Sequence, residues 1–381
     1  MESINGYLLD DFTRQSLDLM RLEAGMRKKV LGMMKKLEID LVTQIQNIDP
    51  TAVSANSYKL ARLQSLLKQT KDTIKTSYRG IRNSVRKDLT ELVLSENVTT
   101  METLNFVLGV DIVTVAIPRS LALSLARNTQ IQGAINSEWW SRQALSLQRS
   151  FSDQISMGLL SGESNNQIVQ RIRGKATGKR NTYWIGDKKR IYSEFSGGIM
   201  DTGTRQAEAL VRTSVNSVAQ EARLETYKNS DIVKGVMASV TFDLRTSDIC
   251  KSRSGMAWDT QTGKPLNSLT TIAFPGAPAW HWGCRTQLTP ITKSWKELAQ
   301  KNQSKLGRSP KKLKASMDGQ VPEDQTYEQW LRKKTAAEQR EAIGGKAKYK
   351  MWKKREINFR DLIDQSGNTL TIDELKKLRK K

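Results

Sequence analysis

A chain of 381 residues is long enough for two or three domains with buried cores. Its 38% hydrophobic and 27% charged residues are polar for a globular protein without the signature of disorder, and no run of about 18 apolar residues exists to span a membrane. With 62 Lys and Arg against 39 Asp and Glu the formal charge is +23, which attracts polyanions, nucleic acid first among them, while two cysteines exclude a disulfide framework.

The first six residues lack the basic and apolar regions of a signal peptide, and the want of a disulfide framework fits synthesis in a reducing cytoplasm. Leu19, Leu22, Met26, Val30, Met33, Leu37, Leu41, Ile45 and Ile48 step by three or four, a continuous helical stripe that Asp49-Pro50 ends. A second, nearly heptad stripe follows at Leu60, Leu63, Leu67, Ile74, Tyr78, Ile81, Val85, Leu89 and Leu92. Residues 1–100 therefore read as a helical hairpin, packed on itself, on other copies of the chain or on a partner's helices.

Residues 101–200 read as a helical connecting region. The β-branched run 110–117 before Pro118 predicts a short strand or an extended crossing. A helix resumes near Glu138, with the pair Trp139 and Trp140 read as core, and Gly158 and Gly162 close it. Ser164 and its neighbours then offer a cap for a helix over 167–173. Gly174-Lys175-Ala176-Thr177-Gly178-Lys179-Arg180 resembles a fragment of a phosphate-binding loop. Only three residues separate its glycines where that loop needs four, and Arg180 replaces its Ser or Thr. No nucleotide site is expected here, only a basic mobile loop.

Residues 201–295 form the next segment. A long helix is predicted over 204–228, then a half-buried strand through Val236, Ala238, Val240 and Phe242. Beyond it the chain turns Gly- and Pro-rich, and here lie all its soft ligands: Cys250, the lone His281, and Cys284. A looped piece with little core benefits from a fastening. Zinc held by Cys250, His281 and Cys284, completed by Asp243 or water, would supply one. Two plainly buried thiols with a hydrogen-bonded imidazole, or a Cys250–Cys284 disulfide, would serve as well. His281 with a cysteine, or with Arg253 and Arg285, could also work as a nuclease centre, but no local group orients it and no catalytic residue is assigned.

Residues 296–381 are a basic C-terminal module. Residues 291–381 hold 24 Lys and Arg against 12 Asp and Glu, about half of the net charge. The basic clusters Lys311, Lys312 and Lys314, then Arg332, Lys333 and Lys334, then Lys353, Lys354 and Arg355 are candidate DNA contacts. Trp330, Tyr349 and Trp352 lie among them, which suits either base stacking or, as the favoured reading, a small helical module with a solvated basic face. Thr371 is the expected N-cap of a short last helix.

The pattern Asp243-x-Arg245-Thr246-Ser247-x-x-Cys250-x-x-Arg253-x-Gly255, Trp258, His281-Trp282-x-Cys284-Arg285 and Leu288-x-Pro290 resembles the phage Mu F-like head morphogenesis domain of tailed-bacteriophage minor capsid proteins. Upstream, Ala209-Leu210-Val211-Arg212-Thr213, Asn216, Ala222-Arg223 and Tyr227 are similar to the helix that precedes the cysteine segment in that family. Downstream, 316–322, Thr326-Tyr327-Glu328-Gln329-Trp330-Leu331 and 370–375 resemble a C-terminal module of some members. Where many members continue Cys-Arg-Cys this chain has Thr286, and Ser247 stands where others carry a further cysteine. These departures favour a structural role for what remains.

The elements read along the chain make a mainly α protein, with a small α+β domain holding the Cys/His segment. The resemblance implies a virion interior location near the portal vertex, after synthesis in the bacterial host cytoplasm. Expected partners are the phage portal protein and viral genomic DNA, contacted without sequence specificity. Scaffold or major capsid protein would be further partners, and no membrane is expected.

Overall fold

A computed structural model describes residues 4–47, 56–108, 113–293, 313–316, 319–322, 325–363 and 369–378. Among them eleven α-helices accompany four small antiparallel sheets, so the fold is mainly α. No described helix is long and apolar enough to cross a membrane. Contacts divide the chain into two units, one of residues 1–18, 93–119 and 216–381, the other of 19–92 and 120–215. These boundaries differ from the four consecutive segments read from the sequence. Three of the four fall inside the long helices over 4–46, 56–108 and 199–228, where no linker marks them, and the fourth follows Pro118 at the start of a short helix.

The second unit contains most of the helical hairpin. Helix α1 (Ile4–Gln46) and helix α2 (Asn56–Leu108) run antiparallel, as two cross-links show: Lys29 Nζ to Asp88 at 2.8 Å and Gln44 Nε2 to Thr73 Oγ1 at 2.8 Å. Val30, Leu37, Leu41 and Ile45 face Ile74, Ile81, Val85 and Leu89 as buried stripes, so heptad-like spacing here makes core. Leu22 is exposed, and Met34, absent from the predicted stripe, is buried instead. Ile48 lies outside the described residues.

Helix α3 (Arg119–Asn128) is followed by a minimal hairpin, β1 (Gln130–Ile131) and β2 (Ala134–Ile135), and by helix α4 (Asn136–Leu160). Trp140 is fully buried against Tyr78, while Trp139 donates its indole N–H to Ile131 O at 2.7 Å. Helix α5 (Asn165–Arg173) starts with a capping box in which Ser164 and Gln167 satisfy each other's backbone, as the sequence predicts.

The expected basic mobile loop is instead a hairpin, β3 (Gly174–Ile185) and β4 (Lys188–Gly197). Its two-residue turn has Gly186 at φ 59°, as the first position of a type II′ turn requires. The β-branched and aromatic residues of 182–185 and 191–195 supply the strand preference that the glycine-and-lysine reading overlooked. The ribbon presses on α1: a Cβ at Gly32 would lie 2.0 Å from Trp184 O. Beneath it Lys35 pairs with Glu38 at 2.9 Å, inside a ring of Tyr183, Tyr192 and Phe195.

The first unit is organised by helix α6 (Ile199–Lys228) from Asn216 onward, packed with an antiparallel sheet of order β6 (Ala257–Asp259), β5 (Val233–Ser239), β7 (Gln287–Thr292). Leu224, Tyr227, Val236 and Leu288 form a core with Leu104 and Val113. The β-branched run before Pro118 is an extended crossing, not a strand, over its described residues 113–117. Two asparagines of α2 take the place of a partner strand: Asn105 exchanges two hydrogen bonds with the Val113 backbone, and Asn97 bonds Val115 O and Ile117 N.

A hairpin of β8 (Leu313–Ser316) and β9 (Gly319–Pro322) leads to short helices α8 (Tyr327–Leu331), α9 (Ala336–Ile343), α10 (Lys346–Lys353) and α11 (Ile372–Leu378). Thr326 and Thr335 each close a capping box. Thr371 does the same with Glu374, as its sequence position predicts.

Candidate functional site

Cys250 lies in the short helix α7 (Asp248–Arg253), the first regular turn after the β5 strand and its extension. His281 and Cys284 sit 31 and 34 residues later, in the coil before β7. Cys284 N donates to His281 O at 3.2 Å and Gly283 takes φ 69°, so this piece is a tight turn that points both side chains one way. The three ligand atoms lie within 4.8 Å of one another. Cys250 Sγ is 3.1 Å from His281 Nε2 and 3.6 Å from Cys284 Sγ. Both cysteines are free thiols, so the disulfide alternative is not realised.

The imidazole is oriented from behind. Its Nδ1–H donates to Trp282 O at 2.9 Å, which leaves the Nε2 lone pair for the sulfurs or for a metal. A tetrahedral zinc with Zn–S of about 2.3 Å and Zn–N of about 2.0 Å spaces its ligands about 3.5–3.8 Å apart. The three donors therefore suit a zinc ion in chemistry; the 3.6 Å between the sulfurs matches this spacing, and the 3.1 Å between Cys250 and His281 is shorter than it. Asp243 is not a fourth ligand, contrary to one expectation from the sequence: Arg285 claims both its oxygens, at 2.7 and 2.8 Å, and Thr246 Oγ1 donates to it at 2.9 Å. A water would complete the shell.

The two buried thiols are coupled through their contact. Hydrogen bonding to Cys284 pushes the Cys250 thiol up, with burial adding to it, and the same contact, helped by His281, draws the Cys284 thiol down. Burial pushes the His281 imidazole down, but its contacts with Cys284 and with Trp282 O outweigh this and raise it. Burial likewise pushes the Asp243 carboxyl up, and the Arg285 and Thr246 hydrogen bonds more than offset it, holding it below the usual carboxylate range.

A depressed carboxylate stabilises the fold above its unfolded pKa of about 3.9 and stops doing so as pH falls through the lower folded value. Stability is thus expected to hold from neutral pH to about pH 4 and to fall below it. In urea melts across a pH series, Asp243→Asn should flatten that acid limb; an unchanged limb would show that the Arg285 pair contributes nothing.

The space beside the cluster, lined by Cys250, His281, Arg245 and Arg285, is about 20 Å³. That is room for one water-sized particle and not for a nucleotide. Arg253, the other arginine of the nuclease reading, is buried and stacked on Trp280 with its guanidinium 4.6 Å from the ring centre.

The neighbours of the cluster come from the C-terminal module. Phe242 packs on Tyr327 and Trp330 with ring centres 5.5 and 5.6 Å apart, and Lys251 donates to Ala342 O at 3.0 Å. Cys250, Cys284, Trp330, Tyr349 and Trp352 belong to one buried core. The three aromatics are therefore not a base-stacking surface. Of the candidate DNA contacts, Lys311 and Lys312 lie outside the described residues, and Lys314 is on β8. Arg332 is exposed but pairs with Glu328 at 2.6 Å and lies over Trp352; Lys334 lies over Trp330, and Lys353 donates to Tyr349 Oη at 3.0 Å. Lys333, Lys354 and Arg355 are exposed.

Arg223, quoted above only as part of the resemblance, and Gln220 and Glu96, which the sequence reading did not single out, tie the turn after Cys284 to the core. Gln220 Oε1 accepts from Leu288 N at 2.8 Å, Arg223 donates to Gln287 Oε1 at 2.9 Å, and Glu96 pairs with Arg223 at 2.6 Å. The only signal for Glu96 is a carboxylate one turn beyond the apolar Leu92 and Val93, where the stripe would continue.

Comparison of the chain with protein-family models, with curated proteins and with solved structures finds no match.

Proposed function

We propose that this chain is a minor head protein of a tailed bacteriophage, a non-enzymatic component that sits inside the capsid at the portal vertex and touches packaged DNA through its phosphates. The observation that carries this reading is the convergence of the residues behind the resemblance. Asp243, Thr246, Cys250, His281, Cys284 and Arg285 meet in one compact knot with space for an ion or water and none for a substrate. A knot of that kind fastens a loop-rich segment. Zinc bound by Cys250, His281 and Cys284 would supply the same fastening more strongly.

The portal protein is the partner proposed for the N-terminal helices α1 and α2. Scaffold or major capsid protein, or another copy of the chain, would be further partners. Lys333, Lys354 and Arg355, exposed on the C-terminal module, suit contact with a phosphate backbone without sequence readout.

A pull-down with portal protein and with duplex DNA tests this, run from about 50 mM to about 200 mM salt. Portal capture that persists while DNA capture fades is the expected result. His281→Ala is expected to lower the melting temperature and remove any bound zinc while leaving DNA intact in both proteins. No portal capture, together with DNA cleavage that His281→Ala abolishes, would overturn the proposal in favour of a nuclease.

A further inference from the structure

A second site lies in the other unit, far along the sequence from the cysteines. Helices α2, α3 and α4 line an open surface cleft of about 560 Å³, within the range of small-ligand pockets, about 300–1,000 Å³. Arg82 and Arg86 enter it from adjacent turns of α2, and Arg127 from the last turn of α3. Ser120 and Ser124, on the same face of α3 as Arg127, add hydroxyls, and Ser137 adds another from the first turn of α4. No carboxylate lines the cleft.

That balance is unfavourable for an empty surface. Like charges four residues apart on a helix repel, and neither Arg82 nor Arg86 has an acidic residue three or four positions away to offset this. The carboxylates nearest in sequence to Arg86 and Ser137 are committed elsewhere: Asp88 binds Lys29, and Glu138 pairs with Arg142. The cleft also meets the start of α4, where Ile135 occupies the N-cap position and offers no side-chain acceptor to the first-turn N–H groups. Guanidinium forks, hydroxyls and helix N–H groups facing one cavity are the donor set of a phosphate.

We propose that this cleft is an oxyanion site that binds a phosphate group. Its size admits two adjoining phosphates, as in pyrophosphate or a stretch of phosphodiester. The proposal does not depend on the head-protein reading, since it stands on donors that the Cys/His segment does not share.

The test compares the full chain with Arg82→Gln/Arg86→Gln/Arg127→Gln, and with Lys188→Gln/Lys189→Gln/Arg190→Gln, which removes equal charge from exposed positions of β4. Pyrophosphate is titrated by calorimetry, duplex DNA is titrated across salt, and melting curves establish that each variant folds. Pyrophosphate is expected to bind the full chain and the β4 variant, and to lose at least tenfold affinity in the cleft variant. If the phosphates belong to nucleic acid, the cleft variant also lowers the slope of log affinity on log salt by about 2.7, the effect of three lost phosphate contacts. A DNA slope that does not change, with pyrophosphate binding lost, assigns the cleft to a free phosphate compound. Absence of pyrophosphate binding to the full chain, or equal binding by the folded cleft variant, overturns the proposal.

Discussion

Replacing Arg223 by alanine is expected to destabilise the protein by about 3–5 kcal/mol, the usual cost of stranding one member of a buried ion pair. Arg223 is entirely buried on α6, with Nε 2.6 Å from Glu96 Oε2 and a terminal nitrogen 2.9 Å from Gln287 Oε1. Its loss leaves the Glu96 carboxylate without its cation in a low-dielectric interior. It also frees the Gln287 side chain next to the turn that carries Cys284. Asn97, beside Glu96, bonds Val115 O, Ile117 N and Thr226 Oγ1, so α2, the extended crossing and α6 are clamped at one place. The double replacement Glu96→Leu/Arg223→Met should recover much of the loss, because an apolar pair of similar volume carries no desolvation cost. Urea melts of the two single variants and the double give the comparison. A cost below about 1 kcal/mol for Arg223→Ala would mean that water reaches this pair.

This clamp also shows where sequence reading reaches its limit. The helices were legible because their apolar residues repeat every three or four positions and their ends carry Pro50, Ser164, Gly162 and Thr371, all local signals. The Cys/His segment was legible because His281 and two cysteines are rare in this chain and lie close in sequence. Glu96 and Arg223 are 127 residues apart, and nothing local to either announces the other. The β3–β4 ribbon was misread for a different reason. Gly174, Gly178 and the lysines drew attention to the first half of a strand, while Gly186-Asp187, the turn that pairs it with 188–197, went unweighed. The arginine cleft was invisible because Arg82, Arg86 and Arg127 come from two helices whose adjacency the sequence does not state. Proximity in sequence offers Asp243, beside water, as a fourth ligand, whereas its partner Arg285 lies 42 residues on.

Trp330→Ala is expected to destabilise the C-terminal module by about 3–5 kcal/mol, the cost of deleting a fully packed large aromatic. Trp330 touches Phe242 and Tyr327 with ring centres 5.6 and 5.2 Å apart, and Lys334 lies 4.8 Å above its ring. The same core encloses Cys250 and Cys284. Opening it should speed alkylation of both thiols, which are buried in the intact protein and react only when exposed. DNA affinity should not change beyond what unfolding of the module accounts for, because the exposed lysines are separate from the buried ring. The opposite pattern has a clear meaning. A Trp330→Ala protein of unaltered melting temperature and thiol reactivity, with single-strand affinity reduced by the one to three kcal/mol of a lost base stack, would make Trp330 a nucleic-acid contact. Burial at 2% of its surface decides between the two in favour of packing. The C-terminal module then covers the Cys/His core, while Lys333, Lys354 and Arg355 are exposed.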